Sequence, residues 1–211
     1  MIGAVIFDLD GTVLDNEEKW ELAFAAVAAK HEIRNSKSEK WIHTPGIGIK
    51  PNWRKITGDE VLSEKLTRET WDEYQNDTSV KIMPGAEELL EEIKDMGYQT
   101  ALATGSEWHV VEKELEQLNL YLAFDVTTTV DEVLAGKPDP EIYLLTAQKL
   151  GVEPSECIVI EDSAAGVTAS KEAGMQVIGL KVPGADFVVD SLADAGVVLR
   201  EYGNKKKDQS D

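Results

Sequence analysis

A chain of 211 residues, 42% of them hydrophobic, is long enough to bury a sizeable core. At roughly 100–200 residues per domain it fits one domain, or one with a small insert. Forty acidic against 21 basic residues leave a formal net charge of −19, which excludes a polyanionic partner such as nucleic acid and an anionic membrane surface, but not a small phosphorylated ligand. A single cysteine, Cys157, excludes an intrachain disulfide. With no leader-like segment and no apolar run long enough to span a bilayer, the expected compartment is the cytoplasm.

In chain order, the apolar run Ala4-Val5-Ile6-Phe7 ends abruptly in Asp8-Leu9-Asp10-Gly11-Thr12. Such a run reads as a parallel strand buried on both faces. The pentapeptide after it has two readings: a tight turn, for which Asp and Gly are common residues, or the ligand end of an open α/β sheet. Asp8 still belongs to the apolar run, and an unpaired carboxylate at a buried strand tip is disfavoured, so the position calls for a cation such as Mg²⁺. From Asn16 to His31, Trp20, Phe24 and Val27 recur at helical spacing, with Asn16 as candidate cap and Glu17 and Glu18 in the first turn. The stretch 35–80 is charged and tryptophan-bearing, broken by Thr44-Pro45-Gly46-Ile47-Gly48 and Lys50-Pro51, and reads as a small helical insert.

Beyond Met83-Pro84-Gly85 the pattern alternates. Helices are expected over 86–96, 107–118, 140–150 and 164–173, and strands over 98–103, 124–128, 157–160 and 177–180. Alternating strands and helices imply an α/β fold, a Rossmann-like parallel sheet with helices on both faces. Residues 1–15 and 81–203 then form the core and 16–80 the insert. Cys157, inside an apolar run, is expected to be an inert buried thiol, and 204–211, with Lys205-Lys206-Lys207, a flexible tail.

Phe7-Asp8-Leu9-Asp10-Gly11-Thr12-Val13-Leu14-Asp15 resembles the first motif of the haloacid dehalogenase superfamily of aspartate-nucleophile phosphotransferases. Three further stretches match its remaining motifs in order: Thr104-Gly105-Ser106 after a strand, Lys137 before Pro138-Asp139-Pro140, and Glu161-Asp162 closing Ile158-Val159-Ile160. The resemblance implies that the insert is an α-helical cap over the active site. It implies Asp8 as nucleophile and Asp10 as general acid and base. Thr104, Gly105, Ser106 and Lys137 would hold the phosphoryl group, and Asp8, Asp10, Glu161 and Asp162 would hold Mg²⁺. A carboxylate suits this role because it is ionised at neutral pH without help from a base. Read singly, Lys137 is a loop lysine and Thr104 a helix cap; only their company changes the reading.

Because Asp10 is present, the resemblance points to phosphoryl transfer and away from dehalogenation. The chain is most similar to the β-phosphoglucomutase-like branch, whose mutases carry a His where Trp20 stands here and an Arg in the cap loop where this chain reads Gly46-Ile47-Gly48-Ile49-Lys50. The expectation is therefore a small-metabolite phosphatase acting on a sugar or polyol phosphate, as a monomer or small homo-oligomer. The alternatives are a phosphosugar mutase and a catalytically silent regulatory protein on the same fold. Trp20, Lys50 and Arg54 are the candidate substrate contacts in the cap; Trp41, Trp53 and Trp71 are read as packing residues.

Overall fold

The computed structural model describes residues 2–33, 43–76 and 80–207. The chain begins with strand β1 (Ala4–Phe7), a short strand β2 (Leu14–Asp15), and helices α1 (Glu17–Lys30), α2 (Ile49–Thr57) and α3 (Glu60–Asn76). Strand β3 (Lys81–Ile82) leads into α4 (Ala86–Asp95), β4 (Gln99–Thr104), α5 (Trp108–Gln117) and β5 (Val126–Thr129). Then come α6 (Glu141–Leu150), β6 (Cys157–Glu161), α7 (Ala164–Glu172), β7 (Gln176–Leu180), β8 (Phe187–Val189) and α8 (Leu192–Lys207).

Six strands form one sheet in the order β5-β4-β1-β6-β7-β8, every neighbouring pair parallel. Alternate side chains feed opposite faces, as the pleat requires. Val5, Phe7, Leu102, Ile158 and Ile160 meet α4, α5 and α8 on one side, while Ala4, Ile6, Ala101, Ala103 and Val159 meet α6 and α7 on the other. Burial on both faces explains why the strands read as unbroken apolar runs. Strand β1 lies centrally between β4 and β6, with successive crossovers running to one side of it and then to the other. Its carboxyl end is thus the topological switch point, where open sheets bind ligands.

Helices α1–α3 form a separate layer around Trp20, Phe24, Val27, Trp53, Leu66 and Tyr74, joined to the core by Val110 of α5. This is the α-helical cap. Trp53 is fully buried and its indole N–H donates to Thr70 Oγ1 at 2.8 Å, so it packs as expected; Trp41 lies outside the described residues. Among the described residues no helix is long and apolar enough to cross a membrane.

Three features depart from the sequence reading. Strands β2 and β3 pair antiparallel where the chain leaves for the cap and returns from it, Leu14 opposite Ile82 and Asp15 opposite Lys81; two residues are too few for a periodic signal. Strand β8 and helix α8, which runs to Lys207, add an edge strand and a covering helix that were not anticipated; residues 208–211 of the expected flexible tail lie outside the described residues. Asn16 precedes α1 but makes no side-chain capping bond; its amide is used elsewhere.

Candidate active site

Every residue at the centre of the site sits at or just beyond the carboxyl end of a strand. Asp8 and Asp10 follow β1, Thr104-Gly105-Ser106 end and follow β4, Lys137 lies in the loop between β5 and α6, and Glu161-Asp162 end β6. Asp8 is 3% exposed and the Lys137 side chain is completely buried. Lys137 Nζ lies 2.5 Å from Asp8 Oδ1 and 2.6 Å from Glu161 Oε1, and donates its third bond to the Ala103 carbonyl at 3.1 Å. All three ammonium protons are therefore used, the condition under which a buried lysine is tolerated.

Glu161 is saturated by the protein. Besides Lys137, its Oε1 accepts the Tyr143 hydroxyl at 2.8 Å, while Oε2 accepts both the backbone N–H and the hydroxyl of Ser163 at 2.9 Å. Helix α7 must approach this carboxylate closely, and a Cβ at Gly166 would overlap Glu161 Oε1. Burial alone would raise the Glu161 pKa, but the charge and hydrogen bond of Lys137, with the Ser163 and Tyr143 donors, hold it below its ordinary value. Such a group remains a fixed anion that orients Lys137.

Asp8 and Asp162 behave oppositely. Burial, then the neighbouring carboxylates, push Asp162 well above the usual range; burial also pushes Asp8 up, against the pull of Lys137. Asp8, Glu161 and Asp162 each offer an oxygen, all within 4.8 Å of one another. One lysine facing three carboxylates leaves an excess of negative charge, and an all-oxygen donor set suits a hard divalent cation. With Glu161 saturated, Asp8 and Asp162 carry the free ligand capacity. Gly11, at φ +79°, keeps the approach open, since a Cβ there would collide with Asp162 Oδ2.

Asp10 is turned toward the cap. Its Oδ1 accepts from Asn16 Nδ2 at 2.6 Å and from the Trp20 indole at 2.8 Å; its Oδ2 accepts the Ser106 hydroxyl at 2.7 Å and, more weakly, that of Thr104 at 3.4 Å. The expected phosphate binders Thr104 and Ser106 are thus brought to the site with their hydroxyls on Asp10. Thr104 Oγ1 also accepts the Ser106 N–H at 3.0 Å, which fixes the loop through Gly105. Asn16 carries the network onward: its amide also donates to the Tyr74 hydroxyl at 2.9 Å, and Tyr74 donates a short bond to Glu114 Oε1 on α5. The Trp20 and Tyr74 rings stack at 3.6 Å.

Sequence reasoning missed Tyr143, Ser163, Tyr74 and Glu114 as partners of the site. Glu114 alone left a trace, as an acid in the otherwise apolar positions of α5. The expected cap cations are not brought to Asp8. Lys50 pairs with Glu60 at 3.1 Å and Glu64 at 2.8 Å, and Arg54 with Glu60 at 2.5 Å, all within the cap. The pocket over Asp8 is lined by Asp8, Asp10, Glu17, Trp20, Phe24 and His43, with the loop through Thr44, Gly46 and Gly48, and an adjoining cavity that shares Trp20, Gly48, Gly105 and Ser106 is lined by Lys50 and Arg54.

The profile of the haloacid dehalogenase-like hydrolases matches residues 2–174. The chain is 33% identical over 207 residues to the phosphorylated carbohydrates phosphatase of Thermotoga maritima, covering 95% of this chain and 91% of that protein. It is 31% identical over 191 residues to hexitol phosphatase B of Escherichia coli K12, covering 86% and 85%. Among solved structures, β-phosphoglucomutase from Clostridium difficile matches with a TM-score of 0.81 at 28% identity, covering 98% of this chain and 99% of that one.

Proposed function

The chain belongs to the haloacid dehalogenase-like hydrolases and is a phosphoric monoester hydrolase of that family; on that premise we propose a magnesium-dependent phosphatase that hydrolyses a small sugar or polyol phosphate through an aspartyl-phosphate on Asp8. The observation that carries this reading is the pairing of Asp8 Oδ1 with Lys137, which leaves the other carboxylate oxygen of a buried, aimed nucleophile for phosphorus. The names of the two phosphatase relatives support the substrate class. Asp8, Asp162 and the Asp10 carbonyl would hold Mg²⁺, which when bound offsets the repulsion between nucleophile and phosphate.

The second oxygen of Asp8 attacks phosphorus, the bond from phosphorus to the leaving oxygen breaks, and protonated Asp10 gives that oxygen its proton. Asp10, now a carboxylate, takes a proton from water; the hydroxide oxygen attacks phosphorus and the bond to Asp8 breaks, releasing phosphate. Lys137, its protons committed to Asp8, Glu161 and Ala103, supplies positive charge beside the phosphoryl group, and Thr104 supplies a hydroxyl for one of its oxygens, since this chemistry rests on positioning and charge stabilisation. Glu161 fixes Lys137, and Asn16 with Trp20 orients Asp10.

The test is phosphate release from sugar, polyol and nucleotide phosphates with Mg²⁺ or with chelator, alongside β-glucose 1-phosphate and a bisphosphate activator. Metal-dependent release without isomerised product is expected. Isomerisation outpacing release would instead make the protein a mutase that works with Trp20 in place of a histidine, and silence across the panel would favour a regulatory role.

A further inference from the structure

On the phosphatase reading, Asp10 hands a proton to the leaving oxygen, so the aim of its carboxyl governs that step. Core and cap each hold one of its oxygens. Oδ2 accepts from Ser106 and Thr104, at the end of β4, whereas Oδ1 accepts from Asn16 at 2.6 Å and from the Trp20 indole at 2.8 Å. Both donors on Oδ1 are governed in turn by Tyr74, near the end of α3. Its hydroxyl accepts the second N–H of the Asn16 amide at 2.9 Å, and its ring stacks on Trp20 with centroids 3.6 Å apart and planes 17° from parallel.

Tyr74 is itself held by the core. Its hydroxyl donates a short bond to Oε1 of Glu114 on α5, 40 residues away in sequence and 4% exposed. A hydroxyl carries one proton, so the acceptor that takes it fixes the direction of the whole chain. With that proton on Glu114, the Tyr74 oxygen is left to accept from Asn16, and the Asn16 amide must turn its nitrogen to both Tyr74 and Asp10. The amide oxygen is buried without a hydrogen-bond partner as a result. An orphaned acceptor costs stability, and the side chain keeps this orientation because the reversed amide would set an oxygen against the Asp10 carboxylate.

We propose that Glu114, acting across the boundary between core and cap through Tyr74 and Asn16, is a positioning residue that aims Asp10 at the leaving oxygen. Its effect falls on one step. A sugar or polyol alkoxide is a poor leaving group and departs as the alcohol with the proton of Asp10, whereas p-nitrophenolate departs as the anion and needs no proton. Breaking the chain therefore separates the two kinds of substrate. A change that only loosened the fold or weakened phosphate binding would slow both alike.

The experiment measures kcat and KM, in Mg²⁺ at neutral pH, for a hexitol monophosphate and for p-nitrophenyl phosphate in the wild type, Tyr74→Phe, Glu114→Leu and Glu114→Gln, with thermal melts to confirm folding. The ratio kcat/KM covers the steps up to departure of the leaving group and leaves out hydrolysis of the aspartyl-phosphate, in which Asp10 also acts. Tyr74→Phe, which keeps the ring on Trp20, and Glu114→Leu should each lower kcat/KM for the hexitol monophosphate about 10–100-fold with KM little changed, and for p-nitrophenyl phosphate by less than about threefold. Combining the two should cost no more than either alone, since both break one chain. Glu114→Gln keeps an acceptor for Tyr74 and should recover most of what leucine loses. Equal losses on the two substrates, losses confined to KM, or a glutamine no better than leucine overturn the positioning role; if Glu114→Leu does not fold, Tyr74→Phe decides alone. Wild-type silence toward both compounds overturns the phosphatase reading and the positioning role with it, whereas wild-type release confined to p-nitrophenyl phosphate overturns the positioning role alone.

Discussion

On the sheet side of the cleft, Lys137 is fully buried and shared between Asp8 and Glu161; on the cap side, Lys50 and Arg54 are exposed and paired with Glu60 and Glu64 of their own layer. The same kind of charge has different consequences in the two places. A buried, fully bonded ammonium fixes the carboxylates around it, whereas exposed ion pairs are screened by water and contribute little to stability. The sheet side supplies chemistry that depends on position to a fraction of an ångström. The cap side packs a layer of its own around Phe24 and Trp53 and reaches the sheet side where Trp20 and Asn16 donate to Asp10.

The sharpest way to break the comparison is at its buried end. Asp8→Asn should lower turnover by at least about 10⁴-fold, since a missing nucleophile cannot be replaced by neighbouring groups. The fold should survive, because Lys137 keeps Glu161 and the substitution removes a carboxyl that burial already pushes toward its neutral form. Steady-state phosphate release and a thermal melt check both halves; near-wild-type turnover would remove Asp8 from the mechanism. Lys137→Met should lose activity and stability together. Glu161 and Asp8 would then face each other without a cation, and breaking a buried pair from one side costs about 3–5 kcal/mol. Added Mg²⁺ should recover part of the melting temperature without recovering turnover.

The link between the regions gives an intermediate effect. Glu114 of α5 accepts from Tyr74 of the cap, its Oε2 is buried without a partner, and burial, then the charge of Asp10, raises its pKa from 4.5 to about 8. An acid whose pKa rises on folding favours the folded chain at low pH. Its contribution is full below about pH 4.5 and is lost as pH rises through about 8. Glu114→Gln, which cannot ionise, should therefore gain on the wild type as pH increases, by about 4 kcal/mol between about pH 5 and about pH 9. Paired melts from about pH 5 to about pH 9 read this directly. A constant difference across the range would mean that Glu114 ionises normally.

Legibility in the sequence follows the same division. The sheet could be read because strands buried on both faces leave continuous apolar runs, and the functional residues stand at fixed offsets from their ends: Asp8 after Phe7, Thr104 after Ala103, Glu161 after Ile160. Lys137 was legible only through the company of other motifs, since nothing local to it signals burial. The partners that tune the site were not legible. Tyr143 and Tyr74 look like ordinary helix residues, and the separation of Tyr74 from Glu114 depends on how the cap packs on α5. Asn16 stood where a helix cap belongs and proved to hold Asp10. Strands β2, β3 and β8 are too short for periodicity to register, and α8 was hidden by a glycine and a lysine run at its end.

The smallest effect tests the exposed end. If Lys50 and Arg54 served a substrate phosphate, their removal would raise KM steeply, because a charge-assisted bond to an anion is worth about 1.5–3 kcal/mol, or roughly tenfold and more. Glu60 and Glu64 already occupy both cations, and the hydrogen bonds from Arg54 and Lys50 hold Glu60 down to about 2, so both partners stay charged and paired across the working pH range. The double variant Lys50→Ala and Arg54→Ala should therefore change KM for a polyol monophosphate by less than about threefold and leave stability nearly unchanged, as solvent-screened surface pairs do. The remaining stability effect should shrink further at high salt. A tenfold rise in KM confined to bisphosphorylated substrates would mean that these cations leave their glutamates when a second phosphate arrives, and the cap side would then share the anion-binding work of the sheet side.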